Sequence, residues 1–281
     1  PHQSSAASDV YKRQIQGVQG SFHHLVCQRY FTSGVAIEPL LTFKQVVEAL
    51  TAKKVDAAVM ALENSIAGSI IPNYAMIDAN ELHITGEYYL DVQHNLMALT
   101  GQSIAHIKEV YSHPMALLQC QAFFDKHPHI KLVEDSDTAE VAQRIHKQQI
   151  NGIAAIASTD AAEIYQLEIL AQNIQTIQTN ETRFVIIERL PNTSSTTNKA
   201  SLKFLLDHKR GSLAAMLNVM SDCRLNLTKI QSLPKIDTPW KYAFFVDVTF
   251  EALDDYEKAK AIMEIMAEEF KVLGTYKNAK K

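Results

Sequence analysis

Short apolar runs alternate with amphipathic segments over about the first 190 residues. Predicted strands, rich in apolar residues, lie at residues 55–60, 96–99, 110–111, 131–133, 153–157 and 184–187. The run at 153–157 shows no alternation of polar and apolar positions, which indicates a strand buried on both faces. Alternating strands and helices predict an α/β domain with a mainly parallel sheet, and two such sets predict two lobes with a cleft between them.

Helix starts are marked by capping residues. Thr42 is followed three positions later by Gln45, and Asp137 by Glu140, which is the capping-box spacing. Pro114 suits the first turn of a helix, where its missing N–H needs no partner. We therefore expect helices after Thr42, at Pro114 and after Asp137.

The pattern changes after residue 190. Residues 191–199 are mostly polar and predict an interdomain linker. Beyond them we predict strands at 200–206, 225–233 and 240–250, helices at 212–223 and 254–270, and a last strand from 272. This βαββαβ order is typical of the ferredoxin-like α+β fold.

The first residues fit no element of this pattern. Residues 1–14 combine a run of small residues with a polar stretch and contain no apolar core of signal-peptide length. We interpret them as a non-native or disordered lead, and we begin the first domain at residue 15.

Composition narrows the class of protein. The 281 residues carry a net charge of −4, with no basic run, and no stretch of 18 apolar residues occurs. These features argue against a nucleic-acid-binding or membrane-spanning protein. The three cysteines, Cys27, Cys120 and Cys223, are odd in number and widely spaced. We expect them to be reduced, buried small hydrophobes in a cytoplasmic protein.

Polar clusters lie next to the predicted strands of the α/β domain. Ligands of open α/β sheets bind beyond the carboxyl ends of the strands, where helix N-termini favour anions. Position alone therefore predicts a small anionic ligand. The candidate residues are Ser21, Glu63, Asn64, Ser65, Ser112, His113, Gln119, Thr182, Arg183 and Phe184.

Several motifs together resemble the prephenate dehydratase family. Thr182-Arg183-Phe184, preceded by Asn180-Glu181, resembles the family's Asn-x-Thr-Arg-Phe signature. The segments at 63–68, 112–120, 155–158, 165–167 and 173–175 resemble family motifs in the same order. Residues 211–213 and 227–234 resemble two motifs of the ACT regulatory domain. The resemblance covers residues 15 to about 276.

The resemblance implies a fold and a domain division. It implies a two-lobed, periplasmic-binding-protein-like α/β catalytic domain at 15–190 and a ferredoxin-like ACT regulatory domain at 200–281. We expect lobe 1 at about 15–90 and 175–190 and lobe 2 at about 91–174. Because no helical chorismate mutase domain precedes Ile15, we do not expect a bifunctional enzyme.

The resemblance also implies an activity. Such an enzyme converts prephenate to phenylpyruvate, carbon dioxide and water, with no metal and no cofactor. Thr182 is then the catalytic residue at the leaving hydroxyl, and the other nine candidates bind substrate. An arogenate dehydratase, or a non-catalytic amino-acid-binding sensor, is the alternative.

Single residues allow other roles. Arg183 suits either a carboxylate fork or a surface salt bridge, and Phe184 suits core packing. His113 suits a helix cap as well as a catalytic group. His23, His24, His94 and His127 lack ligand spacing and are expected at the surface or in packing.

Regulation is the second implication of the resemblance. The family binds L-phenylalanine as an allosteric inhibitor where two ACT domains pair, so we expect a homodimer or homotetramer. The effector site would contain Gly211, Ser212, Leu213, Asn226, Leu227, Gln231 and Ser232. Gln231 stands where the family has Glu, and Leu233 stands where it has Arg. In the substrate region, Met115 stands where Gln is common.

Overall fold

The computed structural model describes residues 12–31, 36–192, 194, 196–235 and 241–280. These residues belong to two compact units. The first comprises the described residues of Pro1–Gly68 and Leu90–Phe184, and the second those of Ser69–Tyr89 and Val185–Lys281. The second unit therefore includes a segment, 69–89, that the sequence pattern assigned to the α/β domain.

The first sheet of the first unit is built around a parallel core. Its elements in chain order are β1 (Lys12–Gln16), α1 (Phe22–Tyr30), β2 (Ala36–Leu40), α2 (Phe43–Thr51) and β3 (Ala57–Asn64). β1 pairs in parallel with β2 on one side and β3 on the other. β4 (Gly68–Ser69) is a two-residue strand that follows β3, and β11 (Glu181–Glu188) begins beside β3. The predicted capping box of α2 is present, with both Thr42–Gln45 hydrogen bonds formed.

The second sheet of the first unit is mixed. It contains β6 (Asn95–Ala98), β7 (Glu109–Ser112), β8 (Lys131–Glu134), β9 (Ile153–Ala157) and β10 (Glu168–Ala171), in the order β10-β6-β9-β7-β8. β7 runs parallel to β8 and β9, whereas β6 is antiparallel to β9 and β10. The helices are α4 (Pro114–Gln119), α5 (Gln121–Phe124), α6 (Thr138–Gln148) and α7 (Thr159–Ile164), with a 3₁₀ turn at Ile104–His106. Four of the five β9 residues are buried, as its unbroken apolar run predicts.

The two sheets of the first unit meet at the turn before α1. Gly20 has φ +84°, and a Cβ at this position would overlap the backbone of Ala161 in α7. The Ser158 hydroxyl donates to the carbonyl of Gly20 at 2.7 Å, and the Tyr165 hydroxyl donates to the carbonyl of Gln19 at 2.7 Å. A glycine is therefore required here both by the backbone conformation and by the close approach.

The second unit contains a four-stranded antiparallel sheet. Its elements are α3 (Ile71–Ala79), β5 (His83–Asp91, which ends in the first unit), the last part of β11, β12 (Lys199–Leu205), α8 (Ser212–Asp222), β13 (Asn226–Pro234), β14 (Tyr242–Thr249), α9 (Leu253–Met266) and β15 (Glu269–Tyr276). The order β13-β14-β12-β15 and the βαββαβ sequence from β12 to β15 match the predicted ferredoxin-like arrangement. Residues such as Phe204, Met216, Val248 and Met263 form its core between the sheet and the two helices.

The interpretation of residues 1–14 as a lead without strand structure is wrong for Lys12, Arg13 and Gln14. These residues form the first part of β1, a central strand of its sheet. Tertiary contacts stabilise this polar stretch. One example is the Arg13 guanidinium, which lies 4.5 Å from the centre of the Phe31 ring. Residues 1–11 lie outside the described residues.

Two smaller expectations also need correction. The predicted linker 191–199 includes Lys199, which is buried and begins β12, and Asn198, whose carbonyl accepts a hydrogen bond from the amide of Phe250. Cys27 and Cys120 are buried free thiols, as expected, but Cys223 is only partly buried. None of the helices in the described part of the chain combines the length and the apolar character needed to cross a bilayer.

A buried ion pair joins two parts of the second unit. The Lys199 ammonium donates to both oxygens of the Glu87 carboxylate, at 3.0 and 2.8 Å, and to the Tyr89 hydroxyl at 3.2 Å. The two charged side chains are 3% and 0% exposed. Glu87 also accepts the backbone amide of Ala279 at 3.0 Å. Removing one member deprives the other buried charge of this contact.

We therefore predict that Glu87→Gln lowers the free energy of unfolding by about 3–5 kcal/mol, the typical cost of breaking a buried pair. The double variant Glu87→Met/Lys199→Met recovers most of this loss, since neither buried charge of the pair remains. Urea unfolding measures both variants. Glu48→Gln, which breaks the exposed Lys44–Glu48 pair, is the control and changes stability by less than about 1 kcal/mol. A Glu87→Gln variant as stable as this control contradicts the prediction.

Candidate active site

Thr182 and Asn64 lie on neighbouring strands and contact each other directly. Asn64 ends β3, and Thr182 is the second residue of β11. The amide of Ser65 donates to the carbonyl of Glu181 at 2.8 Å, and the Ser65 hydroxyl accepts the amide of Glu181 at 3.0 Å. These two hydrogen bonds between Ser65 and Glu181 hold the strand ends together, and the Asn64 Nδ2 atom lies 2.8 Å from the Thr182 hydroxyl oxygen.

The orientation of the Asn64 amide is fixed by the backbone. Its Oδ1 atom accepts the backbone amides of Ile66 and Ala67, at 3.0 and 2.9 Å. Nδ2 must therefore point the other way, where it donates to Thr182 and to the Asn180 Oδ1 atom at 2.7 Å. Because Thr182 accepts a hydrogen bond from Asn64, its own hydroxyl hydrogen is available to another acceptor.

The hydrogen bonds continue from Asn64 through Asn180 to Gln119, whose side-chain oxygen accepts on both sides. Since Asn180 accepts through Oδ1, its Nδ2 is free to donate, and it donates to the Gln119 Oε1 atom at 3.0 Å. The same Oε1 atom lies 2.9 Å from His94 Nε2. A carbonyl oxygen carries no hydrogen, so His94 must donate, and its Nε2 is the protonated ring nitrogen.

His94 is held from several sides. Its backbone amide donates to the Gln175 side chain at 3.0 Å, and its ring contacts the edge of Phe22 with the ring centres 5.9 Å apart. Burial lowers the pKa of His94, an effect that the Gln119 hydrogen bond only partly offsets and the nearby His113 reinforces. The ring is therefore neutral near pH 7. Its Nδ1 atom is buried and has no hydrogen-bond partner among the described residues.

Ser112, His113 and Ser21 have structural hydrogen bonds. The Ser112 hydroxyl donates to the carbonyl of Ile156 at 2.9 Å, and it is fully buried. His113 caps α4 by accepting the amide of Met115 at 3.2 Å, which is the cap that its position before Pro114 predicts. Ser21 caps α1 by accepting the amide of His24 at 3.2 Å. Among the described residues, none of these three side chains forms a hydrogen bond with the side chains that link Thr182 to His94.

Arg183 and Phe184 lie on opposite faces of β11, because successive strand residues alternate. Arg183 is 3% exposed, so its interpretation as a surface salt-bridge partner is wrong. Thr182 and Phe184 share the other face. Phe184 is buried and contacts the edge of His23, with ring centres 4.9 Å apart, which confirms its packing role. Glu63, next to Asn64, is half-buried at the end of β3.

The predicted effector residues lie in the second unit. Gly211 has φ +86° and precedes α8, whose first two residues are Ser212 and Leu213. Asn226, Leu227, Gln231 and Ser232 belong to β13, where exposed and partly buried residues alternate. A cavity at the start of α8 is lined by Leu206, His208, Ser212, Leu213, Tyr242 and Phe244, among others.

Sequence reasoning missed two residues of the hydrogen-bonded chain. Asn180 belongs to the signature that ends in Phe184, so its position beside Thr182 offered a signal. His94 carried no such signal, because its partner Gln119 is 25 residues away. No group of three or more His, Cys, Asp or Glu side chains suited to a metal ion occurs within the described ranges.

The fold and this site define an α/β protein with a chain of neutral amides that ends on a threonine hydroxyl. Residues 14–192 match the family model of prephenate dehydratase. The chain belongs to the prephenate dehydratase family.

Relatives cover nearly the whole chain. It is 36% identical over 273 residues to arogenate dehydratase/prephenate dehydratase 2 of Arabidopsis thaliana, covering 93% of this chain and 71% of that protein. It is 31% identical over 265 residues to the bifunctional chorismate mutase/prephenate dehydratase of Aquifex aeolicus, covering 94% of this chain and 72% of that protein. These relatives are dehydratases, and the activity of this family is that of a hydro-lyase.

Solved structures share the fold. Prephenate dehydratase from Staphylococcus aureus has a TM-score of 0.82 at 26% identity, covering 94% of this chain and 99% of that one. GqqA, described as a novel type of quorum quenching acylase, has a TM-score of 0.85 at 27% identity, covering 95% and 98%. Prephenate dehydratase from Arthrobacter aurescens, in complex with L-Phe, has a TM-score of 0.86 at 24% identity, covering 95% and 90%. This last likeness concerns the fold alone.

His23 packs against β11, the strand that carries Thr182, through its contact with Phe184. Its Nε2 atom accepts the amide of Ala61 at 3.3 Å, and its ring also contacts Phe43. Burial lowers the pKa of His23 from its ordinary 6.5 to about 3. The folded protein therefore keeps this ring neutral over a pH range in which the unfolded chain binds a proton.

We predict that this difference destabilises the fold as the pH falls from about 6.5 toward 3, by about 1.4 kcal/mol per pH unit from this one residue. His23→Gln, whose amide does not titrate, has a shallower dependence of unfolding free energy on pH. Urea unfolding at pH 7 and pH 4.5 measures it. The exposed His129→Gln variant is the control and keeps the wild-type slope. An unchanged slope in His23→Gln would show that His23 titrates normally.

Proposed function

We propose that this enzyme converts prephenate to phenylpyruvate, carbon dioxide and water, with Thr182 at the leaving hydroxyl. The observation that supports this role is the hydrogen bond from Asn64 Nδ2 to the Thr182 oxygen. It makes Thr182 an acceptor toward the protein, so that its hydrogen is directed to the substrate. Thr182 is only 8% exposed, and a hydrogen bond there is little weakened by competing water.

The chemistry proceeds by loss of two groups from opposite ends of the ring. The bond to the ring carboxylate breaks and carbon dioxide leaves, and its electron pair enters the ring. The carbon–oxygen bond to the hydroxyl breaks in turn, the ring becomes aromatic, and the departing hydroxide takes a proton to become water. A hydrogen bond from Thr182 stabilises the negative charge that develops on that oxygen.

The threonine hydroxyl is a very weak acid, so hydrogen-bond assistance is a better description of this role than free acid catalysis. The proton that completes the water molecule is relayed to the site. Glu63 and His113 are the candidate relay groups in the motifs. His113 is the weaker candidate, because its Nδ1 atom accepts the amide of Met115.

The other assigned residues complete the substrate site in this proposal. Asn64 and Gln119 are supported by the chain of hydrogen bonds that reaches Thr182. Ser21 and His113 are supported by their positions at helix N-termini, which favour substrate carboxylates. Glu63, Ser65, Ser112 and Phe184 neighbour these positions. Arg183, on the opposite face of β11 from Thr182, is the least supported member.

Arogenate is the alternative substrate, since the Arabidopsis thaliana relative carries both names. The two substrates differ in an amino or a keto group on the side chain, away from the bonds that break. Parallel assays with prephenate and arogenate decide between them through the product, phenylpyruvate or phenylalanine. The proposal for prephenate is wrong if only arogenate turns over.

We predict that Thr182→Ala lowers kcat by about 10²–10³-fold, because the hydrogen bond to the developing charge is lost. Thr182→Ser keeps the hydroxyl and retains a usable fraction of kcat. The measurement is the absorbance of phenylpyruvate formed from prephenate. Circular dichroism spectra of both variants are the control for correct folding. Near-normal turnover of Thr182→Ala would remove Thr182 from the mechanism.

We further propose that residues 200–281 form an ACT domain that binds L-phenylalanine and inhibits the enzyme, in a cytoplasmic homodimer or homotetramer. The βαββαβ order and the left-handed backbone of Gly211 support this role. The Arthrobacter aurescens prephenate dehydratase, which shares the fold, was solved in complex with L-Phe. Asn226, Gln231 and the start of α8 would contact the ligand. Inhibition requires that phenylalanine binds the inactive state more tightly than the active one.

We predict that millimolar phenylalanine inhibits turnover, and that Gly211→Ala raises the inhibitory concentration several-fold with little change in uninhibited kcat. An alanine at φ +86° strains the turn before α8. Gly101→Ala is the matched control, because Gly101 has φ +87° in open space, in a turn that follows β6 in the first unit. The inhibitory concentration of phenylalanine is measured from the turnover of the wild type and of both variants across a phenylalanine titration. Absence of inhibition in the wild type would mean that the domain senses another ligand or is structural.

A further inference from the structure

Asn180 lies between Asn64 and Gln119, two side chains assigned to the substrate site. Its Oδ1 atom accepts from Asn64 Nδ2 at 2.7 Å, and its Nδ2 atom donates to Gln119 Oε1 at 3.0 Å. Asn180 is fully buried, and its carbonyl accepts the amide of Val92 at 2.6 Å, which holds its backbone in place. Because it is buried, Asn180 can act on a bound molecule only through its neighbours.

The orientation of the Asn180 amide is imposed by Asn64. The backbone amides of Ile66 and Ala67 hold the Asn64 oxygen, so Asn64 can offer Asn180 only a donor. If the Asn180 amide turned by half, its Nδ2 would face Asn64 Nδ2, and two donors would oppose each other. Asn180 therefore presents Oδ1 to Asn64 and Nδ2 to Gln119.

Asn180 in turn imposes the orientation of Gln119. A donor from Asn180 requires the Gln119 oxygen on that side, so Gln119 Nε2 points away from Asn180. His94 cannot impose this orientation, because a neutral imidazole donates or accepts at Nε2 according to which ring nitrogen carries its hydrogen. His94 could follow a reversed Gln119 by moving its hydrogen, whereas Asn180 could not.

The Gln119 nitrogen is available to a bound molecule. Gln119 is partly exposed, and its Nε2 atom forms no hydrogen bond with any residue that the structure describes, whereas its Oε1 atom accepts two. An amide nitrogen offers two hydrogens and no acceptor. The side chain therefore presents a pure donor on the side away from Asn180 and His94.

We propose that Asn180 is a positioning residue that holds the Gln119 amide with its Nε2 hydrogens toward the substrate, where they donate to the carboxylate that stays in the product. The inference rests on the proposed function, because the substrate's anionic group is the acceptor. Carboxylate oxygens only accept, so a reversed Gln119 would set its own oxygen against an anion. The turn after β3 thus orients the donor that binds the substrate as well as the donor at Thr182.

Gln119→Met measures what the oriented donor contributes, since methionine keeps the length of the side chain and removes the amide. We expect KM for prephenate to rise about tenfold, the effect of one hydrogen bond to a charged group. We expect kcat to stay within about threefold of wild type, because the retained carboxylate is bound alike in the ground state and the transition state. Gln121→Met is the matched control and keeps the wild-type KM, since the exposed Gln121 side chain bonds Asp125. A loss in kcat with an unchanged KM overturns the assignment.

Asn180→Leu tests whether Asn180 acts through Gln119, because leucine keeps the volume and leaves the Gln119 amide without an imposed orientation. We expect KM to rise about fivefold, and the double variant Asn180→Leu/Gln119→Met to be no worse than Gln119→Met alone, since no amide remains to be oriented. A merely structural role of Asn180 multiplies the two effects to about fiftyfold, and that result overturns the proposal. A wild-type KM in Asn180→Leu overturns it as well.

A measurement on the wild type needs neither activity nor the folding of a variant. His94 Nε2 lies 2.9 Å from Gln119 Oε1, so the hydrogen of this ring reports how the Gln119 amide is turned. The ¹⁵N chemical shifts of the imidazole rings at pH 7 show which nitrogen carries it. We expect the Nε2–H tautomer in the wild type, and the opposite tautomer overturns the proposal. If the wild type converts neither prephenate nor arogenate, the proposed function fails, while the tautomer still tests the orientation of Gln119.

Discussion

The backbone turn after β3 is the constraint on which the rest of the site depends. Two amides in this turn, those of Ile66 and Ala67, take the Asn64 side-chain oxygen and leave its nitrogen with one possible direction. Because backbone N–H groups can only donate, this orientation does not depend on protonation or on amide rotation. The direction of every later hydrogen bond, through Asn180 and Gln119 to His94, follows from it. A local turn thus sets the polarity of a site assembled from residues that are up to 118 positions apart.

The elements with strong local patterns could be predicted from the sequence. The capping box at Thr42, the apolar run of β9 and the βαββαβ order of the C-terminal part all rest on signals within one element. Lys12–Gln14 had no such signal. A polar stretch becomes a central strand here because β2 and β3 pair with both of its edges and Phe31 covers Arg13. That stabilisation comes from other parts of the chain, so no local pattern records it.

In the candidate site, too, some residues could be predicted from the sequence and others could not. Asn64, Gln119 and Thr182 stand in motifs, and their contacts in the structure agree with a shared site. His94 lies outside every motif that the sequence offered, and only the fold brings Gln119 to it. No sequence pattern indicated that segment 69–89 belongs to the second unit. Asp78 in that segment accepts hydrogen bonds from Lys203 and Lys271, and Ser69 accepts one from Lys229. These contacts join α3 and its neighbours to the four-stranded sheet through charges far apart in sequence.

The side chains that link Thr182 to His94 by hydrogen bonds are uncharged, and this limits the kind of catalysis they can provide. Two asparagines, a glutamine, a threonine and a neutral histidine contain no group that changes charge near pH 7, since burial lowers the pKa of His94 further. Such a chain cannot serve as a strong acid, and it has no need to. In the proposed reaction, decarboxylation supplies the electrons and aromatisation the driving force, so the protein has to stabilise a brief negative charge on one oxygen. A donor whose direction is fixed in advance does so without reorganising during the reaction, which is the condition under which a hydrogen bond contributes most to a transition state.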